Sequence, residues 1–273
     1  MSARLTRERM LDAIEAQVGL VRYALAPGGD PGDVALTTRV PSCPEWTLHD
    51  LVAHLGAVNW WGGATVREGN PDERSRGLGA AMKSAPPATE GAGALADWYA
   101  PLASGMLETF TETDPDAPAW TFGGPGPAAF WLRRQLHETA LHRWDLENAL
   151  GGPAATTPLP EDVAVDTVDE FCSVMFPHTA GRRPPLRVTI RLRALPHVAE
   201  GLATGAEPVG ATATGPAEWV LSGGDGAPEV EVAGTPETLA LLLWGRVGAD
   251  EAGLEISGDR AGLVAALEGG LSA

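Results

Sequence analysis

The amino-acid sequence predicts an α+β protein of two domains, a helical bundle over residues 1–155 and a small α+β unit over residues 156–273. Three observations carry this. Four stretches in the first 150 residues repeat apolar side chains at steps of three and four, the spacing of one helix face. A Pro/Thr-rich linker, PAATTPLP (153–160), follows them. Beyond the linker the pattern changes to period-two alternation broken by short helical runs.

The first helix is expected over 6–26, where Leu11, Ile14, Val18, Val21 and Leu25 line one face. A Gly/Pro/Asp loop (27–33) ends it. Pro41 and Pro44 keep the next segment extended. The second helix (47–68) starts at Thr47 as N-cap, with Asp50 three residues on completing a capping-box-like start. Residues 69–90 read as a loop, and 91–113 as a third helix with a kink at Pro101. DPDAPAWTFGGPGP (114–127) reads as a second loop, and 128–150 as the fourth helix, stopped by Gly151, Gly152 and Pro153. Four such helices suggest a bundle. In the second half, 161–176 reads as helix and LRVTIRLRA (186–194) as a half-buried strand. EWVLSG (218–223) and PEVEVAG (228–234) are two more strands around a GGDG turn. A capped helix (235–247), a strand (253–259) and a closing helix (260–271) complete the pattern.

Composition narrows the function. A net charge of −17 should repel nucleic acid and anionic membranes, because both demand clustered Lys and Arg. No apolar run reaches the length of a membrane span, and the charged start MSARLTRERMLDAIEAQ carries no export signal. Cys43 and Cys172 make neither a metal spacing nor a disulfide framework, which suits a reducing, cytoplasmic setting. One lysine stands against eighteen arginines, the bias of a GC-rich genome such as an actinobacterial one.

Chemistry concentrates in HETALH (137–142). Glu138 and His142 are four apart and share a helix face. Imidazole and carboxylate both ligate zinc, and a catalytic zinc takes three protein ligands and keeps one open position. His54, in DLVAHLG, is the best third ligand from a facing helix. His137 lies about 100° around the helix from Glu138 and reads as an outer-shell or surface residue. Asp50 reads as a helix cap, with support of the His54 ring as the alternative. Spacing alone leaves a second reading open, in which Glu138 and His142 are a solvated i,i+4 pair and His54 a core histidine.

VPSCPEWTLHDLVAHLG (40–56) and RRQLHETALHRWD (133–145) resemble segments of the mycothiol-dependent maleylpyruvate isomerase family, a branch of the DinB-like helical bundles. The tail from WVLSGG to LVAAL resembles that family's C-terminal domain, a sterol-carrier-like α+β unit. The resemblance implies a DinB-like four-helix bundle in which His54, Glu138 and His142 hold the metal. It departs at Glu45, where the family usually has glycine; a solvated carboxylate is the expected outcome. The implied metal is zinc by ligand type, although iron, nickel or cobalt also accept this set. The implied cosubstrate is mycothiol, whose thiol the metal would hold as thiolate.

Two reactions are compatible with that activation. The reading places conjugation of mycothiol to a small-molecule electrophile first, with cis–trans isomerisation of the maleylpyruvate type as the alternative. A non-catalytic small-molecule binding protein on the same scaffold is a further alternative. Cys43 is a rival nucleophile, read instead as a packing residue. Trp46, Trp60, Trp61, Trp131 and Trp144 read mainly as core. Arg143 and Arg246 are candidates for anion binding, or for structural ion pairs.

Overall fold

The computed structural model describes residues 5–26, 34–195 and 217–271; the loop expected at 27–33 lies outside them. The chain divides into two compact units between Pro158 and Leu159. The linker stays with the first unit to Pro158 because Thr157 is tied back to it. Its amide and hydroxyl donate to the Glu147 carboxylate at 2.6 and 3.1 Å, and its carbonyl accepts from Arg143.

The first unit is built on four long helices. These are α1 (Arg7–Leu25), α2 (Leu48–Glu68), α4 (Gly91–Glu112) and α5 (Ala129–Gly151), with the short α3 (Leu78–Lys83) between α2 and α4. Each start has a local cause where the sequence supplies a cap. Thr6 accepts from the Arg9 amide at α1, and Thr47 and Asp50 close a full capping box at α2. Ile14, Val21 and Leu25 of α1, Leu48 and Leu51 of α2, Leu95 and Tyr99 of α4, and Trp131 and Leu136 of α5 are fully buried between the helices. As expected over 91–113, α4 runs through Pro101 to Glu112 as one helix. Pro101 and Asp97 are both exposed, so the carbonyl that loses its helical donor faces water.

Close packing around α2 depends on glycine at two positions. A Cβ on Gly63 would stand 3.1 Å from the Met106 Cα of α4, and one on Gly62 would stand 2.7 Å from the Gln135 amide of α5. Glycine in a helix costs about 0.5–1 kcal/mol against alanine, and here close helix approach offsets it.

Two segments expected as extended or loop are paired. Strands β1 (Arg39–Val40) and β2 (Cys43–Thr47) form an antiparallel hairpin turning at Pro41–Ser42 and leading directly into α2. Strands β3 (Pro118–Thr121) and β4 (Gly124–Pro127) form a second hairpin in place of the loop at 114–127. The loop read at 69–90 likewise contains α3 and a 3-10 turn at Ala88–Glu90.

The second unit opens with α6 (Glu161–Glu170), which passes through a π-turn (Phe171–Met175) into the short α7 (Phe176–Thr179). Pro177 cannot donate back along a regular helix, and the widened turn precedes it. Strands β5 (Thr189–Ala194), β6 (Glu218–Leu221), β7 (Glu229–Gly234) and β8 (Glu255–Gly258) form one sheet in the order β6-β5-β7-β8. The strands flanking the GGDG turn are therefore not neighbours, because β5 lies between them, parallel to β7 and antiparallel to β6. Alternation fixes the register: Ile190 and Leu192 pair with Val230 and Val232 on the buried face. On the other face, Arg191 and Arg193 pair with Glu229 and Glu231 at 2.9 and 3.1 Å. Helices α8 (Pro236–Leu243, capped by Thr235) and α9 (Arg260–Glu268, capped by Asp259) supply Leu239, Leu242 and Leu263 to the core. No helix among the described residues is long and apolar enough to cross a membrane.

Candidate metal centre

Helices α2 and α5 pack side by side in the bundle and carry the polar residues that the sequence singled out. Their register is pinned by buried polar contacts. The Asn59 amide nitrogen of α2 donates to Gln135 Oε1 at 3.0 Å and to Thr139 Oγ1 at 3.1 Å on α5. That register brings His54 opposite Glu138 and His142.

His54, Glu138 and His142 converge, with one ligand atom from each lying within 4.8 Å of the others. His54 Nε2 is 3.1 Å from Glu138 Oε1, and His142 Nε2 is 3.4 Å from the same oxygen. Neither His137 nor Cys43 belongs to this group of converging atoms. The three side chains are 22%, 19% and 10% exposed, so the cluster is largely but not wholly enclosed by the bundle.

A supporting layer orients these side chains. Arg134, one turn before Glu138, donates to Glu138 Oε2 at 2.9 Å and leaves Oε1 facing the two imidazoles. Asp145, one turn after His142, lies 2.9 Å from His142 Nδ1 through Oδ2, so the donor nitrogen Nε2 faces Glu138. The Ser42 hydroxyl, from the β1–β2 turn, donates to Asp145 Oδ1. The Trp46 ring stands 4.7 Å from the His54 ring and 5.9 Å from that of His142, centroid to centroid.

Charge at the site follows from these contacts. Burial alone would raise the Glu138 carboxyl, but hydrogen bonds from His142 and His54, with the positive charges of His142 and Arg134, hold it well below the usual range. Burial would lower His142, yet its hydrogen bonds to Asp145 and Glu138 and their charges push it up to about 9. The donor set fits a divalent ion. Two imidazole nitrogens and a carboxylate oxygen meet in one place, each held by a partner through its other polar atom or by the packing around it.

The remaining residues resolve as follows. Asp50 serves the helix cap, its carboxylate accepting from the Thr47 amide at 2.9 Å. His137 is fully buried, which removes its reading as a surface residue: it lies on the side of α5 turned into the protein. Cys43 sits half-buried on β2, ahead of the helix start rather than at it. The Cys172 thiol is pushed up to about 12 by burial and by the charge of Asp169, which favours the neutral thiol over the thiolate. Glu45 is exposed. Arg143 is fully buried and bonds Gln17, Glu147 and the Thr157 carbonyl, so it acts as a structural tie. Arg246 donates to the Trp244 carbonyl. Trp61 and Trp131 belong to an aromatic cluster with Trp120 and Phe122, while Trp46 is set against the candidate ligands.

Sequence reasoning missed Arg134, Asp145 and Ser42. The first two had a signal: at steps of four, four and three, residues 134, 138, 142 and 145 form one polar stripe on an otherwise packed helix. Ser42 had none, being 103 residues from its partner.

Fold and site together define a four-helix-bundle protein with a His/Glu/His donor set between two helices and a small α+β unit after it. The sequence model for the mycothiol maleylpyruvate isomerase N-terminal domain matches residues 21–147, and that for the MDMPI C-terminal domain matches residues 162–265. The chain belongs to the mycothiol-dependent maleylpyruvate isomerase family. Solved structures with the same fold include the mycothiol-dependent maleylpyruvate isomerase and a histidine-to-alanine mutant of it. Each shares 18% identity, covers 93% of both chains and superposes with a TM-score of 0.62. No curated protein matches the chain.

Proposed function

We propose that this protein is a mycothiol-dependent cis–trans isomerase of the maleylpyruvate isomerase type, with a divalent metal, zinc by donor type, held by His54, Glu138 and His142. The observation that carries the reading is the convergence of those three ligand atoms in a bundle of this family. Conjugation of mycothiol, which the sequence reading placed first, gives way to isomerisation because the family and the solved structures of this fold bear the isomerase name.

A bound divalent ion supplies the charge that keeps a thiol deprotonated at neutral pH. The chain's own residues prepare the place. Asp145 holds the His142 ring so that its Nε2 is the outward donor, and Arg134 holds Glu138 so that Oε1 is. The indole of Trp46 stands against the rings of both histidines on one side. Isomerisation then needs no further acid or base for net change. The thiolate sulfur adds to one carbon of the cis double bond, the former double bond rotates as a single bond, and the sulfur leaves to restore the trans double bond. The thiol is recovered and no atom is transferred.

The test is to supply metal-loaded protein with mycothiol and a cis-unsaturated keto-diacid, following the alkene geometry by NMR and the free thiol by titration. Conversion of cis to trans with a constant thiol titre supports isomerisation. Stoichiometric loss of thiol with a conjugate in the mass spectrum would instead establish S-transfer. Thiol binding without turnover of any such electrophile would leave a binding protein.

A further inference from the structure

We propose that Ser42, in the turn of the β1–β2 hairpin, is a positioning residue for the metal centre, acting through Asp145 on the ring of His142. This rests on the metal-binding reading above. The chain of contacts is short and directional. The Ser42 hydroxyl donates to Asp145 Oδ1, and Asp145 Oδ2 accepts from His142 Nδ1 at 2.9 Å. His142 Nε2 then faces Glu138 Oε1 at 3.4 Å. With Nδ1 committed as a donor, the neutral form of the ring is the tautomer whose Nε2 lone pair is available to an ion.

Burial gives this contact its weight. The Asp145 side chain is 0% exposed and that of His142 is 10% exposed, so bulk water does not readily replace a lost hydroxyl. Ser42 holds one oxygen of this carboxylate and the His142 ring meets the other, so the hydroxyl sets the angle at which Asp145 faces the ring. The hairpin can hold Ser42 in place because it is itself anchored. Pro41 fixes the backbone before Ser42, Val40 pairs with Cys43 across the turn, and Arg39 donates to the Glu45 carbonyl at 3.0 Å. The Leu48 amide bonds the Thr38 carbonyl at 2.9 Å, joining the hairpin's base to the start of α2, which carries His54. One hairpin thus orients both histidine ligands: through Ser42 and Asp145 on α5, and through Trp46 against His54 and His142. It gives the serine of PSCPEWT a role that the sequence alone does not suggest.

Two readouts on the full-length protein test this. The first is zinc affinity by competition with a chromogenic chelator. The second is the Nδ1–H resonance of His142 in ¹⁵N-histidine-labelled protein stripped of metal, assigned by its loss in His142→Gln. Asp145→Asn should weaken zinc by about 10–100-fold, and Ser42→Ala by about tenfold, while Ser42→Thr, which keeps the hydroxyl, should stay near wild type. Ser42→Ala should add no further loss in the Asp145→Asn background, and should shift the Nδ1–H resonance. A hydroxyl that merely supported the fold would lower Tm and leave zinc affinity and the resonance where they were. Unchanged affinity and an unchanged resonance in folded Ser42→Ala would overturn the proposal. If the wild type took up no zinc but the resonance still moved in Ser42→Ala, the metal reading would fall and the orienting role of Ser42 would stand.

Discussion

Glu138 sits at the centre of the site, with two imidazoles on one oxygen and a guanidinium on the other. This makes its charge and that of His142 sensitive to pH in opposite senses. The His142 pKa is raised to about 9 from an ordinary 6.5, so the stability it lends is complete below about 6.5 and is lost as pH rises through 9. The Glu138 pKa is depressed, so its contribution is complete above about 4.5 and is lost as pH falls. Chelated protein should therefore draw most from this pair between about pH 4.5 and 6.5. Zinc follows a different course, because its bond to Nε2 requires the His142 proton to leave. The Tm difference between zinc-loaded and chelated protein should widen from pH 6 towards 9, and a difference that stays flat across that range would contradict it. His54→Ala should lose stoichiometric zinc while its far-UV circular dichroism stays helical; normal zinc content would remove His54 from the ligand set. The shared face of Glu138 and His142 was legible because helix geometry converts a spacing of four into one face, whereas no local rule brings His54 of α2 against them. Their orientation was not, since the Ser42–Asp145 contact spans 103 residues and no local rule pairs them.

The helices were the most legible elements, and for four of them the reason is visible at their starts. Thr6, Thr47, Thr235 and Asp259 each place a side-chain oxygen on an otherwise unpaired amide, and each stands in the sequence just before a periodic apolar run. The two hairpins of the first unit were not legible as strands. GPGP, which becomes β4, has no apolar alternation and carries two prolines, so its pairing with PAWT depends on the Phe122–Gly123 turn and on packing of the buried Ala119. The same unevenness appears for glycine, which local rules treat as uniformly unfavourable in helices. Gly19 in α1 is exposed, and an added Cβ meets nothing within 4 Å. Gly62 in α2 faces the buried Gln135, whose side chain is already held by Asn59. Gly19→Ala should stabilise the protein by about 0.4–1 kcal/mol, through lower entropy of the unfolded chain. Gly62→Ala should destabilise it by about 1–3 kcal/mol through overpacking. Chemical denaturation of the two variants checks both signs; a stabilised Gly62→Ala would mean that α2 and α5 can separate without cost.

At the scale of the whole molecule, the net charge of −17 is the feature most at odds with the proposed chemistry. A maleylpyruvate-type substrate carries two carboxylates, and the field of the protein opposes its approach. Arg134 does not reverse this, because its charge is already set against that of Glu138. Capture of the substrate should therefore be slowed by long-range repulsion at low salt and relieved as salt shortens its range, from about 30 Å at 0.01 M to about 8 Å at 0.15 M. The expected outcome is a kcat/KM for the dianion that rises by about threefold or more across that range, with kcat little changed, because the field acts on encounter rather than on the bound complex. An uncharged cis-enone of the same length should show no such dependence. A fall in kcat/KM for the dianion would mean that cationic side chains at the mouth of the site dominate the local field, and would direct the search for the carboxylate-binding residues to arginines around α2 and α5.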